Sequence, residues 1–473
     1  MTPPPAQTQR SNCKLCCRRL DDNIPLLQLT EVISQLDKPS ILGGNYTNQS
    51  RYSYWAAEPI DTFEFCSGGQ NPFEQLEKSL AKYRLGIDGS ENVPQDIFYG
   101  GWVGYFSYEL GRYIEKIPQT AVDDLQMPLI RLCFYDKVIC YDHVQRCFWL
   151  FAVQVDGDSA EDKLKKLCRW LDSAKNAKAP KISDANLDME DAGAESNMTR
   201  AYYRKSLSQI KKHIIDGDVY QVNFSQRFSC LFNASPISLY HWQNAHNPSP
   251  YAAYIDSGNF QIVSASPELF IQIAGSNITT TPIKGTRPRA AGDNPEIARW
   301  NDQQQNQLMT SEKEQAELNM IIDLERNDLG RICKYGTIKV VQPRTVTAYP
   351  TLFHALATVA GELRDEITFS DILKAMFPGG SITGAPKVSA MQIIDRIEPN
   401  TRGVYTGCVG FIGINASVCL NIAIRTIIIS DGKAFCYAGG GIVADSDIDA
   451  EYDETLLKAK ALLAGINAVQ KTG

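Results

Sequence analysis

Upstream of residue 180 the apolar positions fall in short runs. Those over 129–142 and 147–155 have strand length, and Phe98-Tyr99-Gly100-Gly101-Trp102-Val103-Gly104-Tyr105-Phe106 interleaves aromatics with glycine. Such runs predict a β-rich region, and glycine inside a strand marks close approach of a neighbouring backbone. One helix is predicted there, over 163–174. Downstream the period lengthens. Tyr203, Leu207, Ile210 and Ile214 recur at helical spacing between Thr199, a good N-cap, and Gly217, a natural stop. A strand predicted over 218–228 puts Tyr220, Val222 and Phe224 on one face and Gln221, Asn223 and Ser225 on the other. A polar face in so apolar a region is either solvated or lines a site. Further helices are predicted over 311–327, 368–377, 387–397 and 450–464, stopped near Gly330, Pro378, Pro399 and Gly465. Strands are expected over 261–272, 404–414 and 418–429. The pattern is α+β, with a large mixed or antiparallel sheet covered by helices.

Lys178 to Asn197, rich in Ala, Asp, Glu, Ser and Asn, breaks this pattern. It divides a β-rich region, 1–180, from a longer region, 198–473, with 181–197 as linker or surface loop. Composition adds limits. Of 473 residues 44% are hydrophobic and 21% charged, ordinary for a globular chain, and the net charge is −7. An acidic chain has no general attraction for nucleic acid or anionic lipid, so a small anionic substrate needs locally concentrated basic residues. The apolar stretch 346–363 is interrupted by Pro350 and His354 and does not read as a membrane span. Met1 to Arg10 lacks the apolar core of a signal peptide, and 13 cysteines are scattered without a framework. Both predict reduced thiols in a cytoplasm. Cys13, Cys16 and Cys17 form a C-x₂-C-C cluster with no second ligand pair at finger spacing.

Candidate chemistry sits in the longer region. Glu314 and Glu317, and again Glu451 and Glu454, lie three apart on predicted helices, so each pair shares a helical face. Four such carboxylates facing each other would hold a hard cation such as Mg²⁺; either pair alone reads first as a solvated face. Lys284, Arg287 and Arg289 lie in one loop, and Lys387 follows Gly384-Ala385-Pro386 at a helix start. That start resembles an anion-binding turn but is not a Walker loop. Arg425 stands in an otherwise apolar run, where a guanidinium is expensive to bury unpaired. It needs a carboxylate from the protein or from a ligand.

Taken together and in order, these segments resemble the chorismate-utilising enzymes. The run Val219-Tyr-Gln-Val-Asn-Phe-Ser225 is followed by Ser264-Ala-Ser-Pro-Glu-Leu-Phe270 and Pro282-Ile-Lys-Gly-Thr-Arg287. Then come Ala316 to Gly330, Phe377-Pro-Gly-Gly-Ser-Ile-Thr-Gly-Ala-Pro-Lys387, Arg402-Gly-Val-Tyr-Thr-Gly407, Ile424-Arg425, Ala438-Gly-Gly-Gly-Ile442 and Ala450-Glu-Tyr-Asp-Glu-Thr455. The likeness is dense over 198–463 and looser over 98–108. It implies an α/β-sandwich of two facing, mostly antiparallel sheets flanked by helices. It implies Mg²⁺ between Glu314, Glu317, Glu451 and Glu454, directly or through water, gripping the ring carboxylate of chorismate. Tyr405, Arg425 and the Gly439-Gly440 backbone match the group that holds the side-chain carboxylate, completed by Thr383, Gly384 and Lys387. Glu268 matches the general acid for the departing C4 hydroxyl, and His354 a histidine near the reacting ring.

Two positions separate reactions within the family. Isochorismate and salicylate synthases use a lysine as base for water where this chain has Gln221. Anthranilate synthases generally carry a small residue where this chain has Lys284, whereas aminodeoxychorismate synthases have lysine there. The resemblance thus implies amination of chorismate by ammonia with Lys284 as nucleophile. No glutaminase stretch with a reactive Cys and His is visible, so ammonia is expected from a separate glutamine amidotransferase subunit in a heterodimer. The family's tryptophan pocket includes a Leu-x-Ser type element; here the corresponding stretch is Ser40-Ile-Leu-Gly-Gly-Asn45, a departure.

Overall fold

The apolar run 129–142 does not form one strand. Asp136 divides it into Ile130–Tyr135 and Lys137–Asp142, which belong to different sheets. Lys137 and Lys163 hold the buried Asp136 carboxylate at 3.2 and 2.7 Å, so the crossing carries a paired charge. The expected strand over 261–272 divides in the same way into Phe260–Ser266 and Leu269–Ala274, and that over 418–429 into Val418–Ile422 and Thr426–Ser430. Apolar continuity hides these crossings because the chain is buried on both sides of each one.

The computed structural model describes residues 11–44, 50–68, 70–85, 94, 96–184, 193–290, 292, 294–349 and 352–471. Asn45 and residues 185–192 of the expected linker lie outside them. Two sheets form among the described residues. The first has thirteen strands. Its order runs from Glu195–Ser196 through Gln221–Leu231, Lys433–Ile442, Thr426–Ser430, Phe260–Ser266 and Tyr251–Asp256. It continues through Ser40–Leu42, Tyr52–Ala56, Lys137–Asp142, Cys147–Val155, Ser11–Leu20 and Tyr83–Leu85. The short strand Gly384–Ala385 pairs beside Gln221–Leu231. The second has ten strands and includes Ile283–Pro288, Leu352–Glu362, Leu269–Ala274, Val418–Ile422, Cys408–Gly413 and Gly101–Phe106. Pairing is antiparallel except between Ser11–Leu20 and Tyr83–Leu85. Both sheets draw strands from before residue 180 and after residue 198.

One core joins the sheets, with Val222, Phe224, Ile262, Phe270, Ile271 and Val409 among its buried members. A second lies between the first sheet and the helices Leu26–Ser34, Ala160–Asn176, Pro236–His246 and Ile448–Gln470. The last of these overruns the stop expected at Gly465. That glycine lies against Trp242, where a Cβ would come within 2.7 Å, so it serves helix packing rather than termination. The close approach expected of the glycine-aromatic strand is present at Gly104, where a Cβ would meet the Arg131 carbonyl. Cys13, Cys16 and Cys17 lie on the strand Ser11–Leu20, with Cys13 buried and Cys17 exposed. No helix among the described residues is long and apolar enough to cross a membrane.

Candidate active site

Two of the sheet crossings meet. Glu268 follows the break at Ser266, and Arg425 sits in the break between Ile422 and Thr426, not inside a strand as its sequence setting predicts. Arg425 adopts a φ of +49°, a left-handed conformation that a ladder position would not allow. The backbones are tied across: the Ala265 amide donates to the Arg425 carbonyl at 3.0 Å, and the Ile422 amide to the Glu268 carbonyl at 3.0 Å.

Glu268 is 3% exposed, and burial raises its carboxyl above the usual range against the pull of Ser381 and Lys284. Its Oε1 accepts the Ile283 amide at 3.3 Å. One residue further on, Lys284 extends from the strand Ile283–Pro288, and its Nζ donates to the Ser381 carbonyl at 3.0 Å. Burial lowers its ammonium below the ordinary lysine value, although Glu268, Glu317 and Glu454 pull the other way. A lysine easier to deprotonate and a carboxyl slower to ionise thus meet at one turn, Gly380–Ile382.

His354, 2% exposed, stands between Thr286 and Arg425: Nδ1 is 3.0 Å from Thr286 Oγ1 and Nε2 is 3.0 Å from Arg425 Nη2. A guanidinium only donates, so Nε2 accepts, and Nδ1 carries the ring proton towards Thr286. Burial, and then the Arg425 charge, hold the imidazole well below its ordinary value.

The strand Gln221–Leu231 forms another wall. Gly384 and Ala385 pair with Val222 and Gln221, and Gly384, at φ +140°, has no space for a Cβ against the Gln221 carbonyl. Gly441 lies opposite Asn223, and Gly439 opposite Ser225. Tyr405 is in the turn three residues before Cys408–Gly413, although the sequence predicts a strand from 404. Its ring stacks on Tyr437 at 4.8 Å, and burial pushes its hydroxyl up to about 12. Arg402, 1% exposed, fixes this wall to the turn that holds Lys284. Its guanidinium donates to Glu398 at 2.7 and 2.9 Å, to the Asn223 carbonyl at 2.7 Å, to the Ile382 carbonyl at 3.0 Å and to Thr406 Oγ1 at 3.3 Å. Glu109 accepts the Arg402 and Gly403 amides at 2.8 and 2.9 Å, tying in the N-terminal region. The sequence reading gives neither Arg402 nor Glu398 a role; Arg402 enters it only as the first residue of the motif Arg402-Gly-Val-Tyr-Thr-Gly407.

The four glutamates arrive on two helix starts. Ser311 caps the helix Glu312–Gly330 and Asp447 caps Ile448–Gln470. Glu317 and Glu454, one from each helix, both lie near enough to Lys284 to favour its charged form. Among the described residues no three His, Cys, Asp or Glu side chains converge closely enough to hold a metal. Cations stand among the carboxylates instead: Arg287 is 3.1 Å from Glu314, and Lys458 is 2.7 Å from Glu454 and donates to the Gly439 carbonyl at 2.9 Å. Glu314 Oε2 is nevertheless buried with no hydrogen-bond partner among the described residues, and Glu451 Oε2 would lie 3.1 Å from a Cβ at Gly440. Arg344 Nη2 stands 3.9 Å from the Glu314 oxygen, too far to hydrogen-bond it, and a hard cation would satisfy that oxygen.

Thr383 Oγ1 turns inward to the Gly379 and Gly380 carbonyls. Lys387 is bound at 2.6 Å to Asp328 and at 2.9 Å to the Met376 carbonyl, so its ammonium stands behind the turn. Glu325, one helical turn before Asp328, accepts the Gly380 amide at 3.2 Å, and burial pushes its carboxyl up to about 7. Leu42 and Gly43, from the stretch where the tryptophan element departs, line a separate cavity of about 200 Å³ with Tyr54, Tyr251 and Asn421.

The family model described as chorismate binding enzyme matches residues 41–464. Aminodeoxychorismate synthase component 1 of Bacillus subtilis (strain 168) is 39% identical over 77% of this chain and 76% of its own. Anthranilate synthase component 1 of Acetivibrio thermocellus is 36% identical over 84% of this chain and 80% of its own. Among solved structures, anthranilate synthase component I from Streptococcus pneumoniae TIGR4 superposes with a TM-score of 0.75 at 28% identity, covering 88% of this chain and 93% of that one.

Proposed function

The chain belongs to the chorismate-binding enzymes, and from that premise we propose that it aminates chorismate at C4, as the large subunit of an aminodeoxychorismate synthase. The observation that carries this is Lys284: a part-buried lysine of lowered pKa that donates to the Ser381 carbonyl, beside a buried carboxyl of raised pKa. The uncharged Nζ attacks C2 of chorismate, both conjugated ring double bonds shift to C1=C6 and C4=C5, and the C4 oxygen leaves as water with the proton of Glu268. The proton shed by the new secondary amine returns to Glu268. Ammonia then bonds to C4 while the Nζ–C2 bond breaks. The proton lost from the new C4 ammonium goes to the departing lysine nitrogen.

Arg425 and Tyr405 orient the side-chain carboxylate, with the Gly439-Gly440 backbone, Thr383 and Gly384 shaping its surroundings. Neutral His354 fixes the Arg425 guanidinium by accepting from it. Glu314, Glu317, Glu451 and Glu454 would hold Mg²⁺, and the orphaned Glu314 Oε2 supports that assignment. When bound, the ion neutralises the ring carboxylate of the substrate. Lys387, paired with Asp328, supports the turn from behind. Ammonia would come from a separate glutamine amidotransferase subunit.

Anthranilate formation is the second reading, favoured by relatives of that name at 36% identity. Mass spectrometry of the product from chorismate, Mg²⁺ and ammonium decides between them, with Lys284→Ala alongside. Aminodeoxychorismate from the wild type, reduced at least about a hundredfold in the variant, is the expected result. Anthranilate from the wild type would reject the proposal.

A further inference from the structure

Glu325 is a buried acid for which the amination has no use so far. It is 3% exposed and reaches from the helix Glu312–Gly330 to the turn Gly380–Ile382. Its Oε1 accepts the Gly380 amide at 3.2 Å, and its Oε2 has no hydrogen-bond partner among the described residues. A carboxylate left half-satisfied at this depth is costly to ionise. The next residue of the turn, Ser381, accepts from Lys284 Nζ at 3.0 Å, and its side chain hydrogen-bonds Glu268. One turn thus touches Glu325, Glu268 and Lys284. Among the described residues the charged groups facing Glu325 are Lys387, Asp328 and Glu268. Lys387, at the start of the helix Lys387–Ile397, favours the ionised form but is committed at 2.6 Å to Asp328. Asp328 on the same helix and Glu268 at the sheet crossing oppose it. Burial is the largest influence, and the Glu325 carboxyl titrates at about 7.

We propose that Glu325 is a positioning residue for the amination read above, on which this inference rests: its charge places a proton on Glu268 and leaves Lys284 as the free amine. The proton has two seats. On Lys284 Nζ it makes an ammonium beside a carboxylate, and such a pair can neither attack C2 nor protonate the C4 oxygen. On Glu268 it makes the amine and the acid that the first step needs. The repulsion between Glu268 and Glu325 is mutual, so an ionised Glu325 disfavours the Glu268 carboxylate and draws the proton from Lys284. One proton changes place, and no other bond changes. Below pH 7 Glu325 carries its own proton and the effect is absent; as pH rises through about 7 the effect sets in.

The test is Glu325→Gln in the full chain, assayed with chorismate, Mg²⁺ and ammonium chloride. The amide keeps an acceptor for Gly380 but carries no charge. The ratio of wild-type to variant kcat should be about fivefold larger at pH 8.5 than at about pH 6. A residue that only supports the turn would give one ratio at both. Glu325→Asp, which keeps the charge, should retain the wild-type pH dependence. A second measurement needs no turnover and no variant. Trace acetic anhydride labels free amines, and peptide mass spectrometry reads its entry at Lys284 against the exposed Lys165. In the wild type the rate at Lys284 should step up near pH 7, apart from the rise due to its own ionisation; in Glu325→Gln that step should vanish. A constant kcat ratio, or wild-type labelling that follows a single ionisation, overturns the proposal. The labelling is separable from failure of the parent reading. If the wild type makes anthranilate, the step at Lys284 still reports whether Glu325 governs its proton.

Discussion

His354 is neutral because of what surrounds it, and that neutrality has a measurable cost. Its ordinary value is 6.5, and burial beside Arg425 takes the folded-state value well below this. Below pH 6.5 the unfolded chain binds a proton that the folded chain refuses. The stability contributed by the neutral ring is therefore complete above that pH and lost as pH falls. His354→Gln, which keeps an acceptor but cannot protonate, should flatten the fall in urea midpoint between about pH 7 and pH 5. An acid slope identical to wild type would sink this account. Little of it is legible in the sequence. The residue types Lys284, Glu268 and Arg425 stand out in their motifs, but the partner of His354 lies 71 residues away across a sheet crossing. Arg402 and Glu398 gain their meaning only from carbonyls at Asn223 and Ile382, which no spacing along the chain connects.

At the scale of elements, helices with clear caps are the most readable parts. The helix predicted over 387–397 matches Lys387–Ile397 at both ends, and Thr199 caps where expected. Strands fare worse at their ends, because burial on both faces removes the alternation that would mark a crossing. Caps also connect to chemistry. Asp447 accepts the Asp449 and Ala450 amides at the start of the helix that carries Glu451 and Glu454. Asp447→Ala should cost about 1 kcal/mol of stability by urea denaturation. It should also raise the magnesium concentration for half-maximal activity severalfold, because the first turn frays. Loss of stability with unchanged magnesium dependence would confine Asp447 to a structural role.

For the whole molecule, the division at 181–197 separates stretches of sequence that fold into shared sheets. Tyr251–Asp256 pairs with Ser40–Leu42, and Cys408–Gly413 pairs with Gly101–Phe106. Arg227 on the strand Gln221–Leu231 is held by Asp124 from the earlier region. A fragment of 198–473 would expose those strand edges and leave Arg227 unpaired, so it should not unfold cooperatively in urea. The intact chain should show one dominant transition. Cooperative unfolding of the fragment alone would make the two regions independent folding units.

The crossings at Glu268 and Arg425 have a consequence for descent. A residue at a sheet crossing can be exchanged without displacing the ladder on either side, because the register is set by the strands that flank it. Chemistry placed there can drift while the scaffold stays constant. Lys284, by contrast, extends from the strand Ile283–Pro288, so an exchange there acts on a ladder and not on a crossing.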